Sequence, residues 1–166
     1  MPDIQDAVLE LDEDTQKDKY LTFLLGNEEY GVGINYVTEI VGIQKIVEVP
    51  EMQRHIKGVI NLRGKVIPVI DVRLMLGLEE KEYNDRTCTV VLNIRGVSVG
   101  LIVDAVAEVL QISEENIVPP PEINGERKQK YINGIGKTES GIKLLVDCER
   151  LLTGNTLESV LANIEH

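Results

Sequence analysis

The chain has 166 residues, 43% of them apolar, enough for one core or for two small units that share one. A net charge of −11, with acids in both halves, repels phosphate backbones and anionic lipid, so protein is the expected partner and not nucleic acid or bare membrane. Cys88 and Cys148 lie far apart with no CxxC motif and no histidine pair, which indicates neither a zinc site nor a disulfide framework and suits a reducing cytoplasm.

Residues 1–18 are rich in Asp, Glu, Gln and Lys and read as a solvated acidic tail, with Ile4, Val8 and Leu11 at the spacing of a short helix. No apolar run follows a basic start, so the composition is not that of a secretory signal. From Tyr20 the pattern changes. Leu21, Phe23 and Leu25 alternate with their neighbours, residues 26–29 supply a turn, and Tyr30-Gly31-Val32 resumes, which predicts a hairpin. Brief β-branched runs follow at 44–49, 59–63 and 66–71, punctuated by Gly and Pro, the pattern of a small barrel or sandwich. Pro68 cannot donate to a ladder and predicts an edge strand there. Asp71 and Asp147 each precede a short apolar helical pattern and read as N-caps, with Gly77 and Gly154 as the stops. The polar stretch 77–86 reads as a linker. The most apolar stretch, 97–112, is broken by Asp104 and Glu108 and is shorter than the roughly 20 residues of a membrane span. From residue 155 onward Leu157, Val160, Leu161 and Ile164 form one helical stripe, so 155–166 is expected to be a terminal helix.

The chain also repeats itself. Leu21, Phe23 and Leu25 fall on Val90, Leu92 and Ile94; Gly31 falls on Gly100, Ile34 on Val103, Asn35 on Asp104, Val37 on Val106, Glu39 on Glu108 and Pro50 on Pro119. Ile60-Asn61-x-x-Gly64-Lys65 matches Ile132-Asn133-x-x-Gly136-Lys137, and Val69-Ile70-Asp71 matches Leu145-Val146-Asp147. Two copies of one short-strand unit imply two similar β subdomains, about 20–78 and 86–154 with interleaving allowed, packed on a joint interface.

Nothing in the pattern assembles a catalytic site. His55 lies in a polar loop and His166 is the last residue, so no triad forms. Gly64-Lys65 and Gly136-Lys137 lack a phosphate-loop framework and read as hairpin turns. No cofactor or metal is expected. The copies differ most clearly at Arg63, which this alignment sets against Ile135. A guanidinium at a tight turn has a natural carboxylate partner in Glu39.

The runs 27–34, 37–40, 56–73 and 99–110, above all Asn61-Leu62-Arg63-Gly64 followed by Pro68 and Asp71, resemble the bacterial chemotaxis coupling proteins, the CheW family. The resemblance covers about 20–152 and implies a CheW-like domain at 19–154. It implies a mainly β fold of two SH3-like five-stranded barrels around a common hydrophobic core, with a few short helices. It further implies a non-enzymatic cytoplasmic adaptor, monomeric when isolated and recruited to receptor arrays at the inner face of the membrane. Its implied partners are the regulatory domain of the chemotaxis histidine kinase and the coiled-coil tip of the chemoreceptors. A free-standing module like that kinase domain is the alternative. Carried over by residue, the receptor groove would use Ile34, Val37, Ile40 and Val106, with Glu39 and Arg63 as polar determinants. The kinase-facing surface would use Ile46, Lys57 and Val66.

Overall fold

A computed structural model of the protein describes residues 17–123, 126–127 and 130–151. Most of the acidic tail and the expected helix at 155–166 lie outside the described residues. Strands β1 (Lys19–Leu25) and β2 (Glu28–Gly33) form the expected first hairpin, and a 3-10 turn, Ile34–Tyr36, leads into β3 (Val37–Gly42). A second hairpin, β4 (Ile56–Leu62) and β5 (Lys65–Asp71), runs into the one-turn helix α1 (Val72–Met75). After the linker come the hairpin β6 (Cys88–Ile94) and β7 (Val97–Val103), then β8 (Ala105–Gln111) and a 3-10 turn at Glu114–Asn116. Short strands β9 (Ile117–Val118), β10 (Glu122–Ile123) and β11 (Glu126–Arg127) precede the last hairpin, β12 (Ile132–Thr138) and β13 (Gly141–Val146), which ends in a 3-10 turn, Cys148–Leu151.

The main strands make two sheets, in the orders β3-β6-β7-β5-β4 (sheet one) and β8-β1-β2-β13-β12-β9 (sheet two). Each sheet therefore takes its β1–β2-type hairpin from the other copy of the repeat. The junctions are equivalent: β5 runs parallel to β7 with Val69 opposite Gly100, and β13 runs parallel to β2 with Leu145 opposite Gly31. The edges match as well, with Val37 opposite Leu92 and Val106 opposite Phe23. This exchange explains why the core is shared. One cluster joins Leu21, Phe23, Val32 and Ile34 of the first copy to Val90, Leu92, Leu101 and Val146 of the second, and Phe23 stacks on Tyr30 at 5.8 Å between ring centroids. A smaller cluster draws Ile60, Ile67, Val69, Val91 and Ile102, with Val41, from all five strands of sheet one, which places it inside that sheet's curl.

Neither sheet is a closed ring of hydrogen bonds. The expected strand at 44–49 is reduced to one bridge, in which Val47 exchanges both backbone hydrogen bonds with Val59 of β4. In sheet two β9 reaches Ile135 of β12 in the same manner. The segment leaving one edge strand thus crosses to the other edge, and the five long strands curl without a continuous seam. Gly58 makes the crossing possible: it lies at φ +143, and a Cβ there would meet the Val47 carbonyl oxygen at 2.1 Å.

The register corrects two readings of the repeat. Lys57 and Asn133 are the extra residues of equivalent bulges, since Ile56 pairs with Ile70 and Gly58 with Val69, as Ile132 pairs with Val146 and Gly134 with Leu145. The match of Ile60-Asn61 to Ile132-Asn133 was therefore out of step by four residues; Ile56-Lys57-Gly58 is the true counterpart of Ile132-Asn133-Gly134. Hence Gly136-Lys137 lies within β12, and its hairpin turns at Glu139-Ser140, between Thr138 and Gly141. Arg63 corresponds to Glu139, not to Ile135. Pro68 is also not on an edge strand. β5 lies between β7 and β4, and its pairing with β7 begins one residue later at Val69, so the missing N–H falls outside that ladder.

Both aspartates act as helix starts. The Asp71 carboxylate accepts from the Leu74 N–H at 3.3 Å, and Asp147 from the Arg150 N–H at 3.3 Å.

Candidate partner-binding surface

The β4–β5 turn is a two-residue turn whose central residues both lie at positive φ, Arg63 at 52 and Gly64 at 87, the twist that suits a right-handed ribbon. Asn61 fixes it by accepting the Gly64 N–H on its Oδ1 at 2.8 Å. The same Asn-x-Arg-Gly device recurs in the β6–β7 turn, where Asn93 Oδ1 accepts from Gly96 at 2.9 Å and Arg95 lies at φ 52. Sequence reasoning missed this second arginine, although the two tetrads, 61–64 and 93–96, are legible side by side. Arg95 pairs with Glu149 at 2.8 Å, tying the hairpin to the 3-10 turn after β13.

At the first turn the Arg63 guanidinium is 69% exposed and pairs with the Glu39 carboxylate of β3. β3 and β4 are the two edges of sheet one, so this pair ties the curl at its mouth as the Val47–Val59 bridge does farther along. Glu39 gives Oε2 to the guanidinium, while its Oε1 is buried without a hydrogen-bond partner among the described residues. The two residues border a cleft of about 360 Å³ with an apolar floor of Leu62, Ile67 and Val91, and a polar rim that includes Thr38, Lys65, Asn93 and Ser98. Lys65 donates to Ser98 Oγ at 2.8 Å across β5 and β7. Sequence reasoning read Lys65 only as part of a hairpin turn and passed over Ser98, because their meeting depends on the hairpin exchange.

The apolar residues expected in the receptor groove divide. Ile40 of β3 and Val106 of β8 are half-buried, pack on the shared core, and lie on equivalent edge strands. Ile34 is only 1% exposed and Val37 only 8%, so both are core residues that support the edge rather than anchors presented to a partner. A sequence match does not say which side chains are covered, and here the shared core covers both.

Of the residues expected to face the kinase, Val66 is 46% exposed on β5, and Ile46 packs partly against the small cluster inside sheet one. Lys57 projects from the β4 bulge and pairs with Glu80 of the linker at 2.9 Å. Val47, 56% exposed, adds apolar surface on the same side through its bridge to Val59. Among the described residues, three of the five large exposed apolar side chains, Ile43, Val47 and Val66, belong to the β3–β5 stretch.

Burial, with the charge of Lys130, holds the His55 imidazole below its ordinary pKa. Burial pushes the Cys148 thiol up to about 12, reinforced by Asp147 and Glu149, which suppresses the thiolate.

A family model described as the CheW-like domain matches residues 19–155. The chain belongs to that family. It is 37% identical over 154 residues to the chemotaxis protein CheW of Klebsiella aerogenes, covering 93% of each chain. The chemotaxis protein CheW of Bacillus subtilis is 33% identical over 144 residues, which is 87% of this chain and 92% of that one. The crystal structure of the scaffolding protein TtCheW from Thermoanaerobacter tengcongensis superposes with a TM-score of 0.75 at 36% identity, covering 83% of this chain and 94% of that chain. The mainly β CheW-like architecture of two sheets on one core is thus common to both. Among the described residues no helix is long and apolar enough to cross a membrane.

Proposed function

We propose that this CheW-like protein is a chemotaxis coupling adaptor that links the regulatory domain of the chemotaxis histidine kinase to the cytoplasmic tip of chemoreceptors, and that it acts without catalysis. The observation that carries the reading is the mouth of sheet one. An ion-paired Glu39 and Arg63 flank a preformed cleft with an apolar floor, and exposed Val47 and Val66 lie on the same sheet. Apolar anchors on a rigid scaffold with one charged determinant suit docking of an amphipathic helix or a sheet edge far better than turnover of a small molecule. In this reading Arg63, Glu39, Ile40 and Val106 serve the receptor tip, with Ile34 and Val37 holding the edge from beneath. Lys57, Val66 and Val47 face the kinase, with Ile46 behind them. The adaptor is cytoplasmic and reaches the receptor array through these contacts.

Calorimetric titration of the purified protein against the kinase regulatory domain and, separately, a receptor-tip fragment from the same organism tests the proposal. Saturable one-to-one binding of each is expected. Arg63→Glu is expected to weaken the receptor fragment by tenfold or more and to leave the kinase titration unchanged. Absence of binding to both partners by a folded protein overturns the proposal.

A further inference from the structure

The linker between the two copies is not a free loop. At one end the Leu78 N–H donates to the Arg73 carbonyl at 2.8 Å, and Arg73 Nη1 donates to the Glu79 carbonyl at 3.1 Å. At the other, the Tyr83 hydroxyl donates to the buried Asp71 carboxylate at 2.8 Å, and its ring packs on the cluster inside sheet one. Between these anchors Glu80 reaches back to β4. Its carboxylate takes Lys57 Nζ at 2.9 Å and Arg54 Nη2 at 3.5 Å, and the Lys57 hydrogen bond, then its charge, hold Glu80 below its usual pKa.

The location makes this pair unusual. In a chain of net charge −11, Arg54 and Lys57 put two cations at the start of β4, with Lys57 two residues before Val59, which the exposed Val47 bridges. The bulge that projects Lys57 has Asn133 as its counterpart in the second copy, so the charge is a departure from the repeated scaffold and not part of its packing. An exposed ion pair is screened by solvent, so it holds the linker weakly and yields readily to a better-placed carboxylate.

We infer that Glu80 is an intramolecular placeholder. It occupies Lys57 and Arg54 in the free protein, and an acidic side chain of the kinase regulatory domain displaces it when that domain docks on the β4 side of sheet one. The inference rests on the proposed kinase-facing role of Lys57. Because both ends of the strap are pinned, Glu80 competes at a high effective concentration even though each contact is weak.

The test titrates the kinase regulatory domain with the wild-type protein, Glu80→Gln, Lys57→Glu, Lys57→Gln, and the double variant Lys57→Gln/Glu80→Gln. Glu80→Gln is expected to bind about two- to fivefold more tightly than wild type, the span set by a weak exposed pair. That gain is expected to shrink in the Lys57→Gln background, where only the longer contact to Arg54 remains, and Lys57→Glu to bind at least about tenfold more weakly than wild type. Equal or weaker binding by Glu80→Gln, with Lys57→Glu still impaired, overturns the placeholder and leaves the docking surface standing. An undiminished gain in the Lys57→Gln background also overturns it, since the longer contact to Arg54 cannot supply all of it and the gain then reports general repulsion and not occupancy. Wild-type affinity in Lys57→Glu removes the docking surface and the placeholder with it.

Discussion

The mouths of the two sheets occupy equivalent places in the repeat and carry different charge. In sheet one the edge residue Glu39 meets Arg63 at the hairpin turn; in sheet two the corresponding residues are Glu108 and Glu139, two carboxylates bordering a wider cleft of about 780 Å³. Inside the curl the contrast reverses. Ile67 of sheet one packs among apolar residues, whereas its counterpart in sheet two, Lys143, is 2% exposed and pairs with Glu29 at 2.5 Å, the position that Ser98 holds in sheet one. Duplication has kept the backbone and its bulges while exchanging which mouth is tied by charge and which interior holds it. Polar interactions here mark individual copies, and apolar packing marks the fold.

The largest effect is expected from forcing the copies to agree. Ile67→Lys places an ammonium in sheet one with no acid opposite it, and about 3–5 kcal/mol of unfolding free energy should be lost in urea titration; adding Ser98→Glu should recover part of that loss. Recovery would show that the Lys143–Glu29 arrangement can be moved between sheets. Next, Glu29→Gln strands the buried Lys143 charge and is expected to cost about 2–3 kcal/mol, whereas Lys143→Met should be nearly neutral or stabilising. Equal losses in the two variants would mean that the pair stabilises sheet two beyond its own neutralisation.

Asp104 gives the pH-dependent contrast with Asn35. Burial raises its pKa, but hydrogen bonds from Arg73 at 2.6 and 2.8 Å and from the Gly26 N–H outweigh this and hold it below the ordinary carboxylate value. A depressed folded pKa contributes stability that is full above the unfolded value of about 4 and is lost as pH falls through the folded one. Wild type should therefore lose stability in that acid window more steeply than Asp104→Asn, by about 1–2 kcal/mol, in thermal melts from pH 6 to pH 2. The smallest effect belongs to the mouths. Glu139→Arg should let sheet two form its own tie to Glu108 and gain at most about 1 kcal/mol, while Arg63→Glu should lose no more than that. A gain in Glu139→Arg that persists in molar salt would refute an ionic origin.

Much of this was legible in the sequence because it was written locally. The Asp71 cap needs only its neighbours, and the 20–33 hairpin only alternation and a turn. The Glu39–Arg63 pair was readable because a guanidinium at a tight turn in an acidic protein has few places to go. The errors all arose where meaning depends on distant pairing. Ile60-Asn61 and Ile132-Asn133 look alike, but the bulges at Lys57 and Asn133 set the register. Pro68 suggests an edge, but β7 of the other copy begins to pair one residue beyond it. Ile34 and Val37 were carried over from the family resemblance as groove residues, and only the three-dimensional packing shows that the shared core covers them. The kinase-facing and receptor-facing assignments remain proposals for the same reason.

The exchange of hairpins has a consequence during synthesis. Sheet one is complete once Val103 has emerged, but sheet two cannot form until β13, ending at Val146, is available to pair with β2. The first hairpin made, with Leu21, Phe23 and Val32 on its apolar face, therefore waits for more than half of the chain to be translated. At bacterial elongation speeds that is on the order of ten seconds. Over that interval the β2 edge of the hairpin stays unpaired, β8 having covered only β1, so slowing the ribosome between the copies should raise the nascent chain's dependence on holding chaperones.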